Sequence, residues 1–588
     1  MNKSILRLSF PAFAWVIGSL AFPLLGRAQS PVFTPDVNID QTQLLAGKYP
    51  LRKVLESGGQ FFTTPFIPVD GMGKGDGMGE GANGPRAKQR AAMYPANPTF
   101  PFLRVNGLDS QSCYECHNTI GSYREPGTLS NGLIRKPGTV SGSGGFNSDA
   151  FINPDFPTPL TELVRNPPHV FGTGYTQQLA SEMTFELQLL LQEAHAAAKA
   201  NPGVAQSQKL MAKTTDFGVL STTYSSSTNT FNDDFSGVVG VANDLVVRPF
   251  QWKGIASSVR HFVRDALDFH FSMQAVEKVG AQDCDKDKVF NEVSVGNLSA
   301  IVSFVAMTRP PAQEIPPGQA KQVNLGAQLF QGKGSPRIAS GLLCATCHTP
   351  SLKLDTAVLT IENPPAVDPN APCPQDVNPC PQEVNNKSPS LVDPLGKTED
   401  LPVIHLFNLY QLRVKAAASK QASPSGTSHV VALAALKTAI KAPLSGTDAY
   451  QINLTNPGNN VLTYTQPRLP AALDGSVMVP LFSDLRTHNM GDGLKDPVAQ
   501  GTDVACISIA PPLFLTRPLW GVADTGPWLH DGRARTLVEA IQLHSGPNSE
   551  ANPVIDTFNQ LNADEQNAIV AFLLTLRLPL DPGVKAHN

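Results

Sequence analysis

The stretch "QSCYECHNTI" (residues 111–120) places Cys113, Cys116 and His117 in the register C-x-x-C-H, and "GLLCATCHTP" (341–350) repeats it with Cys344, Cys347 and His348. With 8 cysteines and 12 histidines in 588 residues, chance supplies only about 0.002 such motifs. Covalent haem needs two thiols to add across two vinyl groups and an imidazole to hold the iron from one face. One C-x-x-C turn followed at once by histidine supplies all three. A zinc site needs a second ligand pair, absent at zinc-like spacing. A thioredoxin-type pair needs no adjacent histidine. The two motifs therefore read as two c-type haem sites, with His117 and His348 as proximal iron ligands.

Length and composition agree. A chain of 588 residues exceeds one ordinary core, so two domains are expected. A net charge of −4 gives no electrostatic case for nucleic acid. At the N-terminus, Lys3 and Arg7 precede an apolar run to Leu25, and Gly26 and Ala28 suit a cleavage site. Residues 1–28 read as a signal peptide rather than an uncleaved anchor, because the run is short and broken by Pro11 and Pro23. No later segment approaches a membrane span, so the mature chain is expected to be periplasmic or secreted. An oxidising compartment permits disulfides: Cys373 and Cys380 in "CPQDVNPC" suit a local bridge, and Cys284 and Cys506 are left to pair.

The chain also repeats itself. "AIVSFVAMTRPP" (300–311) matches "AIVAFLLTLRLP" (568–579) at an offset of 268 in Ala300, Ile301, Val302, Phe304, Arg309 and Pro311. Both show helical spacing, and Asn562 with Glu565 forms a capping-box signature before the second. More weakly, "VRDALDFH" (263–270) lies on "LVEAIQLH" (537–544), matching His270 to His544. The predicted fold is mainly α: two cytochrome c-like haem domains with long irregular loops and an insertion in the second. The boundaries are an N-terminal arm with a Gly-rich loop (29–95), a first haem domain (96–307), a Pro-rich linker (308–325), and a second haem domain (326–588) with an insertion at about 352–475. The Gly-rich "DGMGKGDGMGEGANG" (70–84) lacks the Lys-Ser/Thr of a phosphate loop and reads as a plain loop. Another helix is predicted over 176–200, with His195 as a solvated residue on it.

The segments "FLRVNGLDSQSCYECHN" (102–118), "LLCATCHTPSL" (342–352), "PLFSDLRTHNMGDGL" (480–494) and "LHDGRARTL" (529–537) carry a family resemblance. With its two C-x-x-C-H motifs, the chain resembles the bacterial di-haem cytochrome c peroxidase superfamily. It is most like the large di-haem oxidoreductase branch, also called peroxidases or thiol oxidoreductases. The resemblance implies that the residue fourteen positions after His530, namely His544, is the other axial ligand of the His348 haem. Met490, in "THNMGDG", is the rival. It implies a calcium between the haem domains, held partly by backbone carbonyls at Thr525 and Pro527. The alternating Asp283, Asp285 and Asp287 of "DCDKDKVFNE" look like a second calcium loop but lack its glycine and terminal glutamate. The His117 haem would be the peroxide site. His270 would be its distal group, as ligand or acid/base, with Met273 the competing neighbour and Phe269 and Phe271 lining an apolar pocket. Trp252 would pass electrons between haems, and Arg533 and Arg535 would face propionates.

The function so implied is a peroxidase-like oxidoreductase passing electrons from the His348 haem to the His117 haem. Peroxide or another small oxidant would be the substrate, and a small cytochrome or cupredoxin the electron donor. Two alternatives stand beside it: a non-catalytic di-haem electron-transfer cytochrome, and an oxygenase like the rubber-cleaving di-haem proteins. The last departs in motif, since those proteins resemble "HNGSVPTL" where this chain has "HDGRARTL" (530–537). The denatured, purified chain should retain two haems by the pyridine haemochrome assay. Joint replacement Cys344→Ser and Cys347→Ser should leave one.

Overall fold

The computed structural model describes residues 33, 35–72, 160–271, 273–284, 287–338, 343–364, 449–458, 468–496 and 507–579. It also describes the short stretches 103–104, 112–117, 123–124, 133–134, 147–152, 367–368, 370, 461–462, 465 and 499–502. The signal peptide, most of the Gly-rich loop, Asp285, Cys373, Cys380 and Cys506 lie outside the described residues.

The expected repeat is built as a pair of helix pairs. In the first half, an opening helix (Leu51–Thr63) packs against a closing helix (Val295–Ala306) whose N-terminus is capped by the Ser294 side chain. In the second, an opening helix (Ala320–Phe330) packs against a closing helix (Ala563–Leu573). Asn562 and Glu565 form the capping box expected there. The contact between the helices is the same in both halves. A Cβ on Gly58 would fall 2.1 Å from the Ala300 carbonyl oxygen and 2.8 Å from Phe304 Cβ; on Gly326 it would fall 1.9 Å from the Ala568 oxygen and 2.8 Å from Phe572 Cβ. Phe62 meets Phe304 at 5.5 Å, and Phe330 meets Phe572 at 5.3 Å. All four residue pairs are related by the offset of 268 that relates the closing helices. Glycine is required because backbone meets backbone.

The predicted helix over 176–200 is present as Thr173–Ala200. His195 on it is only partly exposed: it stacks on Phe231 at 4.0 Å and bonds Asp233 at 2.9 Å. The reason is a hairpin sheet, Gln206–Ala212, Thr215–Ser225 and Thr230–Asp234, folded back antiparallel over this helix. Eight small antiparallel sheets occur among the described residues, so the chain mixes helices with short strands and the helical share is modest. Some strands within the predicted insertion join the first core. Leu352–Leu354 pairs with Val477–Val479, and Leu352, Leu354, Ile452 and Val479 are buried in the larger hydrophobic cluster. Lys213 closes that joint, with Nζ 2.6 Å from Glu182 and 2.8 Å from Asp355. The Pro-rich linker is held down where Ala312–Gln313 pairs with Leu576–Arg577.

Gly326→Ala should cost about 1–3 kcal/mol by overpacking, against the gain in helix propensity. Gly493→Ala, whose added Cβ would meet nothing nearer than Ser545 O at 4.0 Å and whose φ is not left-handed, should not meet a clash. Urea denaturation of the two variants checks the ordering.

Candidate haem sites

Cys113–Cys116 forms a single helical turn, and the His117 amide closes onto the Cys113 carbonyl at 2.9 Å. Cys344–Thr346 forms a 3-10 turn, and the His348 amide bonds the Cys344 carbonyl at 2.8 Å. None of the four motif cysteines is in a disulfide. Each turn brings its cysteines to one side, three residues apart.

The imidazoles are then set by their other nitrogen. His117 Nδ1 donates to Pro168 O at 2.8 Å, and His348 Nδ1 to Phe482 O at 3.1 Å. A carbonyl can only accept, so each ring carries its proton on Nδ1 and turns a lone pair outward at Nε2. Burial lowers His117 to a pKa of about 4 despite its carbonyl bond, and nearby His270 and Arg517 lower it further. Burial likewise lowers His348 to about 4, with His544 the next cause. Thus His544 stands close to His348. It too donates Nδ1 to a carbonyl, Ala540 O at 2.7 Å, and burial lowers its pKa. Three neutral rings with Nε2 left unprotonated, and two cysteine pairs outside any disulfide, are a donor set that fits haem iron.

His270 lies on a π turn, Leu267–Phe271, which continues the helix Val259–Ala266. Such turns frequently occur at functional sites. The repeat that suggested His270 is displaced: Ser258 and Thr536 cap the two helices, and counted from these caps His270 falls one turn beyond the position of His544. Phe271 and Met273 are buried, Phe271 against Phe66 at 5.5 Å. The side chain of Phe269 lies outside the described residues. Met490 is held by its backbone, its amide on Pro512 O at 2.8 Å.

Trp252 marks the joint between halves. Its Nε1 donates to Asn166 O at 2.8 Å, its ring meets His530 edge-on at 6.4 Å, and the Arg517 guanidinium lies over it at 5.5 Å. Asn166, which the sequence reading missed, binds the HDG segment three times. Its amide donates to His530 O at 2.7 Å, and Nδ2 to Pro527 O at 2.6 Å and Leu529 O at 3.3 Å. Turned over, the carboxamide would present a third oxygen to those carbonyls, which suits a hard cation. Thr525 spends its hydroxyl on Val522 O at 3.4 Å. No sequence signal short of the fold ties Asn166 to Pro527, 361 residues away.

Arg533 and Arg535 are exposed, and Arg533 binds Asp531 at 2.6 Å and Gly493 O at 2.8 Å. The acidic turn is self-capped: Asp283 accepts from the amides of Asp287 and Lys288, both at 3.1 Å. Cys284 is buried and disulfide-bonded. Beside Cys347, His488 donates one nitrogen to Asp484 and the other to Glu550, each at 2.9 Å. Burial pushes its pKa down, but the bonds to Asp484, Cys347 and Glu550 win and raise it to about 11. Among the described residues no helix is long and apolar enough to cross a membrane.

Residues 449–576 match the family model described as "Di-haem oxidoreductase, putative peroxidase". No curated protein and no solved structure matches the chain.

His488 is raised above its ordinary 6.5, so its contribution to stability is complete below that pH and is lost as pH rises through about 11. His488→Gln should therefore be destabilised at neutral pH, with the deficit shrinking at strongly alkaline pH. Denaturation midpoints of both proteins across pH read this out.

Proposed function

We propose that this chain, whose residues 449–576 match the di-haem oxidoreductase family model, is an exported c-type peroxidase. Its two halves would be cytochrome c-like domains. The reading rests on one asymmetry. His348 stands near a second imidazole, His544, fixed by the same kind of Nδ1 bond in the turn that follows the regular helix Leu537–Gln542. Near His117 stands His270, on an irregular π turn.

Two imidazoles with outward Nε2 atoms suit an iron held from both faces, in a site that stores and relays electrons. Bound haem supplies reversible electron storage and, where a face is open, reductive cleavage of a peroxide O–O bond. His270 would move the proton between the two peroxide oxygens, and Phe271 and Met273 would keep the surroundings apolar. Trp252 would carry electrons across the joint between the halves. Asn166, with the carbonyls of Thr525, Pro527 and Leu529, would hold calcium there. A small cytochrome or cupredoxin would supply the electrons. The nearness of His270 to His117 favours a second reading, in which both irons are saturated and the protein only transfers electrons.

In His544→Ala the second haem should become high-spin by electron paramagnetic resonance. Peroxide-dependent oxidation of a reduced small cytochrome should fall at least about tenfold. An unchanged spectrum would move the ligand assignment to Met490. A wild-type protein inert to peroxide would favour the electron-transfer reading.

A further inference from the structure

On the haem reading above, we propose that Arg517, contributed by the second half of the chain, binds a propionate carboxylate of the haem on Cys113 and Cys116. The guanidinium sits over Trp252, and its one hydrogen bond among the described residues is a long contact, 3.5 Å, to Gln251 O. Among the described residues no carboxylate pairs with it. Burial lowers its pKa to about 10, as expected of a desolvated cation with no counter-charge. A buried guanidinium without an anion is costly, and its fork of donors matches a carboxylate.

Place and size agree with that anion. Arg517 lines a cavity of about 30 Å³ together with Pro168, His169, Gln251, Phe262 and Trp520. Pro168 is the residue whose carbonyl orients His117, so the cavity abuts the first haem's proximal ligand. Since one water needs about 10–15 Å³ of such volume, the space takes a carboxylate and little more. His169 cannot serve as counter-ion. Its Nδ1 accepts from the Phe171 amide at 3.2 Å and its Nε2 donates to Trp520 O at 2.9 Å, so the ring is neutral. Arg533 and Arg535, which the sequence offered for this role, are exposed. The first haem site is therefore composite: thiols and imidazole come from one half and the anion's partner from the other.

The test uses the haem-loaded full chain and its Arg517→Gln and Arg517→Lys variants. Pyridine haemochrome first establishes two covalent haems; a chain without them overturns the haem reading rather than the arginine's role within it. Spectroelectrochemistry then follows each haem, and resonance Raman follows the propionate-bending bands. Arg517→Gln should lower the potential of the first haem, shift its propionate band and leave the second haem's potential unchanged. Arg517→Lys should restore most of the potential while still shifting the band, because the paired donors are gone. If the Gln variant does not fold, the Lys variant carries the test through that band. First-haem potential and propionate band both equal to wild type would overturn the proposal and leave Arg517 as packing for Trp252.

Discussion

A neutral imidazole has one N–H to give, and the structure turns on where it is given. His117, His348 and His544 each give it to a backbone carbonyl, of Pro168, Phe482 and Ala540. Burial keeps all three neutral, so each presents a fixed lone pair at Nε2. Two further histidines are spent differently. His169 uses both nitrogens within the backbone, and His488 gives both to carboxylates. Residue type alone does not separate these five rings; the hydrogen-bond partner does.

The second constraint is the glycine contact that closes each helix pair. Gly58 on Ala300 and Gly326 on Ala568 let two backbones meet, with Phe62 on Phe304 and Phe330 on Phe572 beside them. Phe62 also reaches the His117 ring at 6.5 Å. The same packing that joins the helices therefore backs the His117 ring.

Much of this was legible beforehand. The two C-x-x-C-H motifs needed only their spacing, and the closing helices declared themselves through apolar periodicity and a capping box. The opening helices carried a signal that went unread: Gly58, Gln60 and Phe62 recur as Gly326, Gln328 and Phe330 at the offset already found. The partners of His195 are not legible in sequence, because the hairpin over 206–234, which supplies Phe231 and Asp233, shows little alternation in its first strand. Asn166 and Arg517 were not legible at all. Their partners lie hundreds of residues away, and a lone Asn or Arg has no periodic context.

The joint between halves gathers what sequence could not reach. Trp252, Asn166, His530 and Arg517 meet there, and the wholly buried Lys253 donates to Ala510 O at 3.0 Å and Pro511 O at 2.7 Å while capping the Phe514 ring at 3.9 Å. Such a joint fixes one half against the other. The most direct test of the account is low-temperature electron paramagnetic resonance of the oxidised, purified protein with and without cyanide. The account predicts one low-spin haem held by two imidazoles and indifferent to cyanide, and a second haem whose signal cyanide changes. Two low-spin haems, neither altered by cyanide, would contradict it.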